Sequence, residues 1–284
     1  MATPSPTVRR KRLGVELRRL RERAELTCED VGRRLECSGT RISRMETGRI
    51  SVRPGDVREL VEVYGVTGAE ADALAQLARE ARRKGWWHSY GRVLPHWFEA
   101  YIGLESEAVR LRDFQSMVVP GLLQTEDYAR SVLRAAPHAG SSAEVDRLVA
   151  LRMERQTILG RDSPPDLWVV LSESVLWVQV GGRAVMRAQL QRLASAAERP
   201  NVTLQVLPLS TAAHVHPVSP FTVLEFPDPA DPAVVYLEHL TGSLVLERQD
   251  EVRRHRVVFD HLCAEALDTA QSAGLIARMA ADLA

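Results

Sequence analysis

With 284 residues, 45% of them hydrophobic and 26% charged, the chain has the make-up of a folded globular protein of about two domains. Its apolar runs are too short for a spanning helix, and residues 1–12 lack the apolar stretch of a secretory signal, so a cytoplasmic location is expected. Cys28, Cys37 and Cys263 supply neither a disulfide framework nor a C-x-x-C zinc pair. The net charge of zero conceals an asymmetry, because residues 1–92 hold 20 basic and 13 acidic side chains and residues 93–284 hold 17 and 24. Such an imbalance points to a nucleic-acid-binding module joined to something else.

Leu13, Leu17 and Leu20 recur at intervals of four and three, which places them on one face of a helix over residues 9–23. Thr27 can cap a second helix, with Glu29 and Asp30 in its first turn, where the helix dipole favours carboxylates, and Val31 and Leu35 inward. Ser38 can cap a third, with Ile42 and Met45 inward and Gly48 just past its end. Pro54 opens a fourth, striped by Val57, Leu60, Val61 and Tyr64, and a fifth covers residues 69–83. Five short helices predict a compact all-α domain over residues 1–84.

This order, together with Leu26-Thr27-Cys28-Glu29-Asp30-Val31-Gly32-Arg33-Arg34-Leu35 and Arg41-Ile42-Ser43-Arg44-Met45-Glu46-Thr47-Gly48, resembles the helix-turn-helix of XRE-type (phage-repressor-like) transcriptional regulators. Local physics agrees: Gly32 is small enough for two helices to cross closely, and Ile42 anchors the second. Turning Ile42 and Met45 inward leaves Thr40, Arg41 and Arg44 outward, in the position of groove-reading side chains. Arginine can bond guanine bidentately and threonine can meet a base edge. Ser38, Ser43 and Arg49 are placed for phosphates, which set position rather than sequence preference. Cys28 falls where the family often has a polar phosphate contact, and its backbone N–H suits that role better than its thiol.

Arg9, Arg10, Lys11 and Arg12 make a candidate DNA-contacting arm, for phosphates or the minor groove, or else a solvated basic tail. One position departs from the family pattern. Glu36 stands where a glycine with positive φ is common, at a cost of roughly 1–2 kcal/mol. The resemblance also implies an ion pair between Arg21, near the end of the first helix, and Glu46, in the last turn of the recognition helix. An anion there opposes the helix dipole unless a cation compensates it. The plain alternative is two solvated charges.

Residues 85–101 form an aromatic junction, with Trp86, Trp87, Tyr90, Trp97, Phe98 and Tyr101 among them. They suit an apolar seam anchoring one domain to the next, or, alternatively, stacking on bases. Beyond it, helical stretches are expected over residues 97–114, 125–135 and 143–160. Strands are expected at 167–170, 202–207, 221–226 and, as two or three more, within 234–247, with Thr241-Gly242-Ser243 as a hairpin turn. Residues 175–180 suit a strand or a short helix. Gly181-Gly182 precedes a helix near 183–197, as a turn or as an anion-binding N-terminus. Helices over 250–273 and 275–283 close the chain. The expected fold is thus an all-α five-helix domain followed by an α+β (or α/β) domain, residues 102–284, with a mixed sheet of four or five strands.

Gly85-Trp86-Trp87, Leu94-Pro95, Tyr101-Ile102-Gly103-Leu104-Glu105 and, above all, Val119-Pro120-Gly121-Leu122-Leu123-Gln124-Thr125-Glu126-Asp127-Tyr128-Ala129-Arg130 are similar to the second domain of an actinobacterial family of such regulators, whose C-terminal domain is uncharacterised. The resemblance implies a cytoplasmic, nucleoid-associated transcriptional regulator, a repressor or antitoxin-like, often encoded beside a small partner protein. It implies double-stranded DNA as partner, and because one such domain buries little surface on DNA, a homodimer on a palindromic or near-palindromic operator is expected. The second domain would dimerise, or receive the small partner protein or a small-molecule ligand.

Catalytic patterns are sparse. His214-x-His216 lacks nearby Cys, Asp or Glu, and His255 and His261, six apart, share a helix face poorly. No G-x-S-x-G elbow, H-E-x-x-H pair or P-loop occurs. No enzyme, cofactor or metal is expected. A competing reading of the whole chain is a helical protein-interaction scaffold or ligand sensor with no specific operator.

Overall fold

The computed structural model describes residues 6–82, 85–91, 93–136, 140–212, 218–228 and 231–283. Contacts divide the chain into two compact units, residues 1–89 and 90–284. His214 and His216 lie outside the described residues.

The first unit holds α1 (Pro6–Arg23), α2 (Cys28–Arg34), α3 (Gly39–Glu46), α4 (Pro54–Val63) and α5 (Ala69–Ala81). Three of the starts have a local cause. Thr27 closes a capping box with Asp30, Ser38 Oγ accepts from the Arg41 N–H, and Pro54 occupies the first turn of α4. Leu13, Leu17 and Leu20 of α1 meet Val31, Ile42, Met45, Val57, Leu60 and Leu74 in one core. Arg9 on α1 pairs with Glu80 on α5 at 3.3 Å.

Three close backbone approaches set the helix geometry. A Cβ on Gly32 would stand 2.6 Å from the Cys37 carbonyl oxygen, so α2 reaches the turn before α3 only with glycine there. A Cβ on Gly14 would collide with the Glu46 carbonyl, so α1 runs directly under the end of α3. Gly48 takes φ +65° with the Lys11 backbone beside it.

The second unit begins with α6 (His96–Glu107) and β1 (Arg110–Gln115), then α7 (Glu126–Ala135), α8 (Ser142–Arg155) and β2 (Asp166–Ser172). It continues through α9 (Ser174–Trp177), α10 (Arg183–Ala197), β3 (Val202–Leu207), α11 (Leu209–Ala212), β4 (Phe221–Glu225), β5 (Val234–His239) and β6 (Gly242–Leu246). It ends with α12 (Gln249–Glu265) and α13 (Thr269–Asp282). The strands form one mixed sheet in the order β3-β2-β1-β4-β5-β6. β1, β2 and β3 are parallel, with helical crossovers between them, and β1/β4, β4/β5 and β5/β6 are antiparallel.

Six strands replace the expected four or five. The additional one is β1, the last part of a segment expected to be helical over residues 97–114. Arg110, Arg112 and Asp113 hide it, since a central strand normally reads as apolar. Its charges are met by neighbours: Arg110 lies 2.9 Å from Glu225 and Arg112 3.7 Å from Asp260. The two closing helices expected over residues 250–273 and 275–283 are present, but the break between them falls earlier, at residues 266–268, where Asp268 closes a capping box with Gln271. Residues 175–180 begin as the short α9 rather than as strand.

One sheet face packs on α12, where Phe114, Val170, Phe221, Val223 and Val235 meet Val252, Phe259 and Leu262. At the β3 edge, the Val206 N–H donates to Ser272 Oγ of α13 at 2.9 Å, and the Leu267 N–H donates to the Val206 carbonyl. That pairing blunts an edge that would otherwise offer free backbone groups. Gly181 and Gly182 have φ of +74° and +86°, so the turn before α10 requires glycine for its shape. Of the aromatic junction, Trp97, Phe98 and Tyr101 belong to α6. Phe98 stacks on Tyr101 at 5.6 Å, and Tyr101 lies 4.1 Å from Tyr236. Those rings serve the interior of the second unit.

Candidate nucleic-acid interface

α3 is short, and its orientation follows from three buried side chains. Ile42 is 1% exposed, Met45 4% and Glu46 6%, so the remaining residues face away from the core. Thr40, Arg41, Ser43 and Arg44 are all exposed along that outer face, and Arg49 is exposed just beyond the helix. The structure therefore brings Thr40, Arg41 and Arg44 onto one surface, with Ser43 between them.

Ser38 sits at the helix start, its Oγ accepting from the Arg41 N–H at 3.2 Å. Its hydroxyl hydrogen stays available to donate. Arg41 is not idle in the free protein, because its Nη2 lies 3.2 Å from Asp56 Oδ2 on α4. Asp56 carries no sequence signal of this role, being the ordinary first-turn acid of its helix.

The Cys28 thiol turns inward. Its Sγ lies 4.0 Å from Glu46 Oε2, and burial pushes its pKa up, which removes the side chain from any phosphate role and leaves the backbone N–H at the helix start. Arg9, Arg10, Lys11 and Arg12 are helical in α1, not an extended arm. Arg9 pairs with Glu80, and Arg12 is exposed. As α1 stands, this segment has no free strand to lay in a minor groove.

Behind the outer face, Arg21 and Glu46 form a two-pronged pair. Nε meets Oε1 at 2.6 Å and Nη2 meets Oε2 at 2.9 Å, with side chains only 12% and 4% exposed. Arg21 Nη1 also donates to the Leu26 carbonyl at 2.8 Å, tying the α1–α2 connection to the same hub. The hydrogen bonds to Glu46 hold the guanidinium pKa above its ordinary value. Tyr64 adds a buried hydroxyl with no hydrogen-bond partner among the described residues, its pKa raised by burial and by the nearby Glu46 carboxylate. The pair anchors α3 from beneath, so its outer arginines project from a fixed base.

The turn between α2 and α3 is left-handed at Glu36, with φ +50°, and Glu25 between α1 and α2 takes φ +57°. The backbone thus keeps the conformation that glycine would favour, and the glutamate bears the strain.

Among the described residues, no group of three or more His, Cys, Asp or Glu could hold a metal ion, and no helix is long and apolar enough to cross a membrane. His255 Nδ1 lies 2.8 Å from the Glu251 carbonyl within its own helix.

A helix-turn-helix domain model matches residues 12–74, covering α1 from Arg12 onward, all of α2, α3 and α4, and the start of α5. Searches of curated proteins and of solved structures find no match. A model described as a domain of unknown function, DUF5753, matches residues 98–278, most of the second unit. That match spans more than half of the chain, and the protein belongs to the DUF5753 family, here with a helix-turn-helix domain ahead of it.

Proposed function

We propose that this protein is a sequence-specific, double-stranded-DNA-binding transcriptional regulator of XRE type, a repressor or antitoxin-like regulator acting in the cytoplasm on the nucleoid. The observation that carries the reading is the outer face of α3, where Thr40, Arg41 and Arg44 stand exposed above a buried anchor of Ile42, Met45 and the Arg21–Glu46 pair. α3 enters the major groove, and Thr40, Arg41 and Arg44 read base edges. Ser38, Ser43, Arg49 and the Cys28 backbone N–H hold phosphates, and Arg12 adds a phosphate contact from the first turns of α1. On DNA, Arg41 exchanges Asp56 for a base. The second unit joins two copies on a palindromic or near-palindromic operator and receives the signal, from a small partner protein or a small ligand, that alters DNA affinity.

The test begins with selection of bound duplexes from a random pool by the full chain. An enriched motif is expected, with binding that weakens steeply as salt rises. Arg41→Ala and Arg44→Ala should each lose about 1–3 kcal/mol on that motif and relax preference at one base position. A pool without enrichment, or two folded variants that bind as wild type, would overturn the reading in favour of a protein-interaction scaffold.

A further inference from the structure

The second unit carries ionisable side chains that its packing does not call for. They lie on the sheet face opposite α12. Strand register sets Asp113 of β1, Thr222 of β4 and Tyr236 of β5 in one row, with Glu238 of β5 beside Ser243 of β6 in the next. α6 brings Tyr101 and Glu105 to this face, and α8 brings Arg152 and Arg155.

Arg155 is the settled member. Nε and Nη2 donate to Glu105 at 2.8 and 2.7 Å, and its guanidinium lies 4.9 Å from the Phe98 ring centroid and 5.4 Å from that of Tyr101. Its Nη1 has no acceptor among the described residues. Arg152 stands one turn earlier on the same helix face. Its one hydrogen bond among the described residues runs from Nη1 to the neutral Gln124 Oε1 at 2.8 Å, and no carboxylate there lies within ion-pair distance. Burial and the Arg155 cation lower its pKa to about 10. Glu238 attracts both arginines through space but touches neither, and its carboxylate accepts from the Tyr236 hydroxyl at 3.3 Å. Above the two guanidiniums lies Gly121, where a Cβ would sit 3.5 Å from Arg155 Nη1 and 3.9 Å from Arg152 Cδ.

A network built for stability alone would match each buried cation with a carboxylate and satisfy each N–H. Here, among the described residues, Glu105 contacts Arg155 and no carboxylate contacts Arg152, while Arg152 Nε and Nη2 and Arg155 Nη1 have no protein acceptor and, not being buried unpartnered atoms, stay open to solvent. Arg152 is partly exposed and Glu238 exposed, so the cluster opens to solvent on the β5 side. We infer that Arg152 and Arg155, with Tyr236 and Glu238, form a receiving site for a small organic anion. A carboxylate or phosphate group would rest on the unsatisfied guanidinium N–H groups, and a hydroxyl or ammonium of the same molecule would face Glu238. The inference deepens the reading of the second unit as a receiver, and binding of the anion needs no DNA.

The test uses the full chain, with inorganic phosphate and O-phosphoserine as probes against chloride at matched ionic strength. Saturable heating-midpoint shifts are expected, larger for O-phosphoserine than for phosphate. Arg152→Gln should abolish both, and Glu238→Gln should remove the advantage of O-phosphoserine. If Arg152→Gln does not fold, Arg152→Lys should weaken binding at least tenfold. Arg44→Ala must respond as wild type, since a lost response there would put the anion on the α3 face and overturn the proposal. Absence of any saturable shift, or an unchanged response in the Arg152 variants, would also overturn it. Failure of the DNA-binding reading would leave these shifts intact, so the two failures are distinguishable.

Discussion

At the scale of single residues, the Arg21–Glu46 pair shows how a charge in an unfavourable place becomes structural. Glu46 ends α3, where the helix dipole repels an anion, and its side chain is only 4% exposed. Two parallel hydrogen bonds from a planar guanidinium offset both penalties. Arg21→Ala or Glu46→Ala should each destabilise the first unit by about 3–5 kcal/mol, because the remaining charge stays buried without its partner. A double-mutant cycle followed by urea unfolding should show strong coupling, and additive effects below a kilocalorie would contradict a structural role. The pairing was legible through family resemblance, helped by the odd position of Glu46. Its surroundings were not: Leu26, Cys28 and Tyr64 reach the pair only after folding, and no spacing announces them. Gly14 was equally silent, since its neighbours Leu13 and Leu17 carry the visible stripe while it lies against the Glu46 carbonyl.

At the scale of elements, the middle of the first unit was readable because α2, α3 and α4 carry their own punctuation. Thr27, Ser38, Pro54 and Gly48 mark starts and an end by backbone chemistry that needs no tertiary partner. β1 lacks such marks, since its Arg110, Arg112 and Asp113 find their partners on distant elements, and in sequence it reads as a continuation of the preceding helix. The place of the break between α12 and α13, upstream of the expected one at residue 274, had a readable signal, Asp268 followed by Gln271 three residues on, in a stretch whose helical periodicity masked it. The α2–α3 turn makes the reverse case, in which the residue is unfavourable and the shape persists. Glu36 is exposed at φ +50°, so its side chain has little packing to lose. Glu36→Gly should therefore stabilise the first unit by about 0.5–1 kcal/mol, the relief of left-handed strain less the added freedom of the unfolded chain. Chemical denaturation of wild type and variant measures it, and a destabilised variant would show that Glu36 makes a contact of its own.

At the scale of the molecule, the charge asymmetry and the two-unit division belong together, with the basic excess of residues 1–92 falling on the side that holds the helix-turn-helix. The polar cluster of the second unit was illegible by contrast. Glu105, Asp113, Arg152, Arg155 and Glu238 are spread over the sequence without any motif spacing, and only the strand register and the α8 crossover gather them. α3 has eight residues and, on the reading proposed above, turns three outward side chains to base edges, a small surface from which to gain operator specificity. Two-fold pairing doubles that surface and, by symmetry, demands an inverted repeat in the DNA. The full chain should accordingly behave as a homodimer, with half-sites about one helical turn, roughly 34–36 Å, apart. Light scattering at micromolar concentration and footprinting on the selected operator measure mass and spacing. Inserting half a helical turn between the half-sites should cost most of the specific affinity, since the two α3 helices would then face opposite sides of the duplex. A monomeric mass both free and on DNA, or affinity indifferent to that insertion, would refute the dimer and leave each copy reading its site alone.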